Sequence, residues 1–146
     1  MSENDFKLRQ RKYIDESLIT AYLFELEKQI KVEALAVFGS RARGDAYVTS
    51  DYDIAVVSDD FLKMSKFERI FLLLDCWNGD FALEPVAYTK DEFNRSSGLL
   101  IWDILEDGVL FKDSGIFRKR RSIHEKLKAA GKLKKVEGGW KFSDAS

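Results

Sequence analysis

The chain has one cysteine, one proline and one histidine, and each scarcity removes a class of explanation. A single cysteine, Cys76, excludes an internal disulfide and a cysteine-rich zinc site; following the apolar run FLLLD, it reads as a buried structural thiol. A single histidine, His124, in a lysine- and arginine-rich stretch reads as a surface side chain and disfavours histidine-based metal centres. With only Pro85 and no glycine-rich linker, nothing marks a flexible junction between domains. No apolar run approaches the roughly 18 residues a membrane span needs, and MSENDFKLRQ is too polar for a secretory signal. The expectation is therefore a cytoplasmic chain with no membrane contact. Strong net charge is also missing. The formal value of −1 conceals an uneven split, however: residues 118–135 carry +8 and the rest −9. An acidic body with a basic tail is a prior for anionic partners and no more than that.

What the chain does have is a regular alternation of element signals over 146 residues, enough for one domain with a real core. DESLITAYLFELEKQI spaces its apolar residues as a helix, with Asp15 as N-cap. EALAVFG and DYDIAVVS read as strands. SKFERIFLLLDCW opens with Ser65 and Glu68 in capping-box spacing and continues as a helix. FALEPVAYT is a third strand, and Pro85 places it at an edge or a local irregularity, because proline cannot donate to a sheet ladder. Thr89 and Glu92 repeat the capping spacing for a short helix; GLLIWDILEDG is a further helix, VLFK a short strand, and IFRKRRSIHEKLKAA a basic helix ended by Gly131. KLKKVEGGWKFS has the Gly-Gly turn of a hairpin. The order gives one α/β or α+β sheet with helices packed on it. The compact body is expected to end near Lys112, giving 1–112 as the main domain and 113–146 as a basic extension of helix and hairpin.

Chemistry concentrates in VFGSRARGDAYVTSDYDIAVVS. Asp51 and Asp53 are two apart on a strand, so both side chains leave the same face. Carboxylates that close repel one another, and a divalent cation with a taste for hard oxygen ligands, such as Mg²⁺, relieves the repulsion. Upstream, the glycines of GSRARG let backbone approach a ligand closely, while amides and the Ser40 hydroxyl can bond phosphate oxygens. A nucleoside triphosphate with Mg²⁺ satisfies both halves.

Gly39-Ser40, ten residues, then Asp51-Tyr52-Asp53 resembles the signature of the polymerase-β-like nucleotidyltransferase superfamily. GSRARG, SDYDIAVV and ILEDGVLF resemble, more narrowly, its minimal nucleotidyltransferases, over roughly Leu35 to Phe111. The resemblance implies an α+β fold with a mixed sheet of about four strands and helices on it. It also implies a third carboxylate from FALEPVAYT, where Glu84 is the one acid and stands where relatives often carry aspartate; Asp80, in a turn, is the fallback. By the same resemblance, Asp51, Asp53 and Glu84 would hold two Mg²⁺ ions and carry catalysis. Gly39, Ser40, Arg41 and Arg43 would bind the nucleotide, the arginines offsetting charge on the leaving pyrophosphate. ATP is the implied substrate and a hydroxyl the acceptor.

Small relatives are commonly paired with HEPN proteins, helical and often toxic, whose tyrosine they adenylylate as antitoxins. A chain this short must take its acceptor site from such a partner or from its own dimer. Two alternatives stand beside this reading. One is a binding module that neutralises a partner without catalysis. The other is nucleotide addition to RNA recruited through residues 118–135, ranked lower because no template-binding domain is visible.

Overall fold

A computed structural model describes residues 13–45 and 50–143. The polar N-terminal stretch and residues 46–49 of the glycine-rich segment lie outside the described residues. The described elements are α1 (Glu16–Glu27), β1 (Ala34–Phe38), α2 (Ser40–Arg43), β2 (Tyr52–Val57), a 3-10 turn (Asp59–Lys63), α3 (Lys66–Asp75), β3 (Leu83–Tyr88), α4 (Lys90–Arg95), α5 (Leu99–Asp107), β4 (Val109–Asp113), α6 (Ile116–Ala129), β5 (Leu133–Val136) and β6 (Gly139–Phe142). Local signals explain most starts. The Asp15 carboxylate accepts from Leu18 N–H at 3.1 Å, and complete capping boxes open α3 and α4, with Ser65/Glu68 and Thr89/Glu92 each bonding both ways.

Four strands form a mixed sheet in the order β3-β2-β1-β4. β1 runs antiparallel to both neighbours, and β2 pairs with β3 in parallel. β5 and β6 make the separate hairpin that the Gly-Gly signal announces. Strand alternation divides the core in two. Leu35, Val37, Ile54 and Val56 face α1 and α3, where the Tyr22 hydroxyl donates to Leu73 C=O at 2.6 Å. Ala34, Ala36, Ala55 and Val57 face α4, α5 and α6 through Phe93, Ile104 and Phe117; small residues on this side let the helices sit close.

β3 is an edge strand, as its proline requires. Tyr52 N–H donates to Ala82 C=O and Ser58 N–H to Tyr88 C=O, so the even-numbered peptide groups of β3 face β2. Pro85, paired with Ile54, therefore turns its nitrogen outward, where a missing N–H costs the sheet nothing.

The basic segment is not a solvated appendage. The Asp113 carboxylate accepts from the N–H groups of Gly115, Phe117 and Arg118, starting α6, and Phe117 is buried in the second core. Arg120 donates to the carbonyls of Phe93, Asn94 and Ser96 at the end of α4, and Arg121 to those of Leu105 and Gly108 at the end of α5. Cations at helix C-termini meet carbonyls that have no intrahelical donor and the negative end of the dipole. His124 departs from its expected surface place: it is 2% exposed, 3.0 Å from Glu106 and edge-on to Trp140 of the hairpin. The reason is tertiary, since the hairpin folds back over α6 and covers it.

Candidate functional site

The parallel register sets Asp53 of β2 directly beside Glu84 of β3. Their carboxyl groups are hydrogen-bonded, and Asp51 contributes further negative charge. Burial first, then the hydrogen bond and charge of Glu84, then Asp51, push the Asp53 carboxyl up to about 7, against a smaller opposing pull from Arg43. The donor set is all oxygen, and Asp51 and Glu84 are exposed, so the cluster is open to a hard divalent ion.

Facing Asp53 is the turn after β1. Phe38 pairs with Asp53 across the β1–β2 ladder, and Gly39 follows. Gly39 has φ +74°, and a Cβ built there would lie 2.3 Å from Asp53 Oδ2. Only glycine fits both the left-handed backbone and the approach. Gly39 C=O accepts from Ala42 and Arg43 N–H, making the one-turn helix α2 that Ser40 begins. Gly39, Ser40 and the three carboxyl groups are thus gathered at one end of the central strands.

Two residues apart on a helix, Arg41 and Arg43 point in opposite directions. Arg43 stays on the open side: Nε is 3.2 Å from Asp45 Oδ2 and Nη1 is 3.3 Å from Asp107 Oδ2, at the end of α5, and its charge reaches Asp53. Arg41, expected at the phosphates, turns inward. It is 4% exposed and donates to Ser50 C=O and Tyr13 C=O, so its guanidinium is engaged with backbone rather than presented to a ligand. Asp80, the fallback acid, lines a separate cavity of about 410 Å³ with Tyr13, Asp15 and Arg41. Asp107 was not singled out in the sequence; its link to Arg43 spans 64 positions, and no local pattern announces it.

Among the described residues, Glu106, His124 and Glu125 also converge closely enough to hold a metal. Lys128 Nζ lies 2.5 and 2.8 Å from the Glu106 oxygens and 3.7 Å from Glu125. The cation of that cluster is already the lysine. Burial works against the Glu106 charge, but Lys128 and His124 hold its carboxyl below the usual range. The group serves to fasten α6 to α5.

Comparison with known proteins agrees with the fold. Residues 23–116 match the family described as Polymerase beta, Nucleotidyltransferase. The protein adenylyltransferase MntA of Thermococcus cleftensis is 40% identical over 52 residues, which are 36% of this chain and about half (52%) of that relative. A crystal structure from Sulfolobus solfataricus, provisionally described as a nucleotidyltransferase, superposes with a TM-score of 0.53 at 26% identity, covering 73% of this chain and 85% of that one. A toxin–antitoxin crystallised with AMP-PNP gives a TM-score of 0.57 at 18% identity, over 82% and 90% of the two chains. A mutant of the toxin–antitoxin MntA-HpeT gives 0.52 at 16%, over 75% and 85%. The last two likenesses speak to the fold alone.

Proposed function

Because the chain belongs to the polymerase-β nucleotidyltransferase family, whose match spans residues 23–116, we propose that it transfers a nucleoside monophosphate, AMP from ATP, to a hydroxyl of a partner protein. The observation that carries this reading is the Asp53–Glu84 pair with Asp51 beside it and the Gly39 backbone pressed against it. Asp51, Asp53 and Glu84 would hold Mg²⁺, which when bound supplies charge neutralisation at the phosphates and acidifies the attacking hydroxyl. Gly39 N–H, the Ser40 hydroxyl and Arg43 are the donors for the terminal phosphates. Arg43 shares its charge with Asp45 and Asp107, so it is held in place before any ligand arrives. The acceptor oxygen forms its bond to the α-phosphorus as the bond to pyrophosphate breaks. Its proton passes to Glu84, an exposed carboxyl on the strand beside Asp53.

The relatives' names, protein adenylyltransferase and toxin–antitoxin, support a protein acceptor and an antitoxin role; the partner proposed is a HEPN-type helical protein. No described helix is long and apolar enough to cross a membrane, and the cytoplasm is the proposed site of action. The test is to purify the chain with the protein that accompanies it, add Mg²⁺ and each labelled nucleoside triphosphate in turn, and follow the label. Label on the partner, lost in the double variant Asp51→Asn, Asp53→Asn, supports the reading. Label in RNA instead supports nucleotide addition. No transfer from any nucleotide, with neutralisation intact in the double variant, leaves a binding module.

A further inference from the structure

Among the described residues, Arg41 directs a buried guanidinium at two backbone carbonyls, and the choice of carbonyls is informative. Nε and Nη2 both donate to Ser50 C=O, at 2.9 and 2.5 Å, and Nη1 donates to Tyr13 C=O at 2.6 Å. The plane of the guanidinium lies over the Tyr52 ring, 3.9 Å from its centroid, with Phe81 at 5.4 Å. The Tyr52 hydroxyl in turn accepts from Asp15 N–H at 3.1 Å. Burying such a group is costly unless its donors are satisfied in fixed directions.

Ser50 immediately precedes Asp51. Its carbonyl belongs to the peptide plane that delivers Asp51, and Tyr52, on the other side, is the stacking platform. Arg41 itself follows Ser40 on α2. One side chain therefore ties the turn carrying Gly39 and Ser40 to the backbone just before Asp51 and to the side chain just after it. Through Tyr13 it also ties both to the segment before α1.

We propose that Arg41 is a positioning residue: it locks the Ser50–Asp51 peptide against α2, and so fixes the spacing between the phosphate-side turn and the carboxylate strand without touching the nucleotide. This rests on the nucleotidyl-transfer reading of the site. Lysine keeps the charge but has neither the planar fork nor the stacking face, so it is the discriminating substitution.

In Arg41→Lys, the Mg²⁺ concentration required for half-maximal transfer should rise about 10- to 100-fold, the range for a lost supporting contact behind metal ligands. The KM for ATP at saturating Mg²⁺ should stay within about twofold, because uniform binding of the nucleotide is untouched. Amide exchange in the metal-free variant should accelerate at Asp51 and Tyr52 and not at Val37 or Ile54. A raised KM for ATP with an unchanged Mg²⁺ requirement and unchanged exchange would overturn the proposal and return Arg41 to the phosphates.

A second measurement needs no variant. In the wild-type chain, the Arg41 Nε–H resonance should be protected from solvent and should hold its position on titration with Mg²⁺ and a non-hydrolysable ATP analogue. A large shift or loss of protection on saturation would overturn the proposal. The exchange and resonance readouts stand even if no acceptor is found, so failure of the transfer reading and failure of this one are told apart.

Discussion

At the scale of single residues, the site is built on a conflict between charge and space. Gly39 approaches Asp53 so closely that any side chain would displace the carboxyl group, and its positive φ disfavours other residues as well. Gly39→Ala is expected to cost about 1–2 kcal/mol in denaturant unfolding, and to lower transfer about 10²-fold through misplacement of Asp53. Asp53 itself provides a pH test. Its carboxyl stands at about 7 in the folded chain against an ordinary 3.8, raised by burial, by Glu84 and by Asp51 and only partly offset by Arg43. The unfolded chain therefore holds fewer protons on this group between those values. Its contribution to stability is complete below about pH 4 and is lost as pH climbs through about 7. Without metal, the melting temperature of the wild type should fall relative to Asp53→Asn across that window, and added Mg²⁺ should close the difference at pH 8. Parallel melting curves with pH in the two proteins would count against the charge cluster. The Asp51-x-Asp53 spacing can be read off the sequence, but the strand expected to carry both aspartates begins at Tyr52 and leaves Asp51 just before it. The division of labour between Arg41 and Arg43 was not legible there, since both lie in GSRAR and only packing decides which one turns inward.

At the scale of elements, capping boxes were the most legible feature: Ser65 with Glu68 and Thr89 with Glu92 place helix starts to the residue. The 3-10 turn Asp59–Lys63 had no such mark and went unforeseen. Helix α6 taught the opposite lesson. Its arginines read as a charged surface, yet Arg120 and Arg121 close the ends of α4 and α5, because the carbonyls they meet lie far away in sequence. Phe117, 1% exposed between Phe93 and the α5 residues, is the apolar anchor of the same contact. Phe117→Ala is expected to cost about 3–5 kcal/mol, the range for emptying a buried aromatic position, measured by urea unfolding at constant slope. Arg121→Ala should cost less, about 1–3 kcal/mol, from carbonyls left without a donor.

At the scale of the whole molecule, the expected handover near Lys112 meets a network that crosses it. Arg121 donates to Leu105 C=O, Lys128 pairs with Glu106, and Lys135 and Trp140 Nε1 both reach Asp103. A chain ending at Lys112 is expected to lose its cooperative thermal transition, because one face of the sheet would keep α5 without the helix packed over it. An intact transition in that truncation, seen by near-ultraviolet circular dichroism, would establish 1–112 as self-sufficient. The sheet as a whole has one further property, set by Pro85. A parallel edge strand is ordinarily a template on which another chain can lengthen the sheet, and in crowded conditions that growth has no natural end. By interrupting the outward row of donors midway along β3, Pro85 limits how far such growth can nucleate. That edge thus carries an obstacle to strand addition in its own covalent structure.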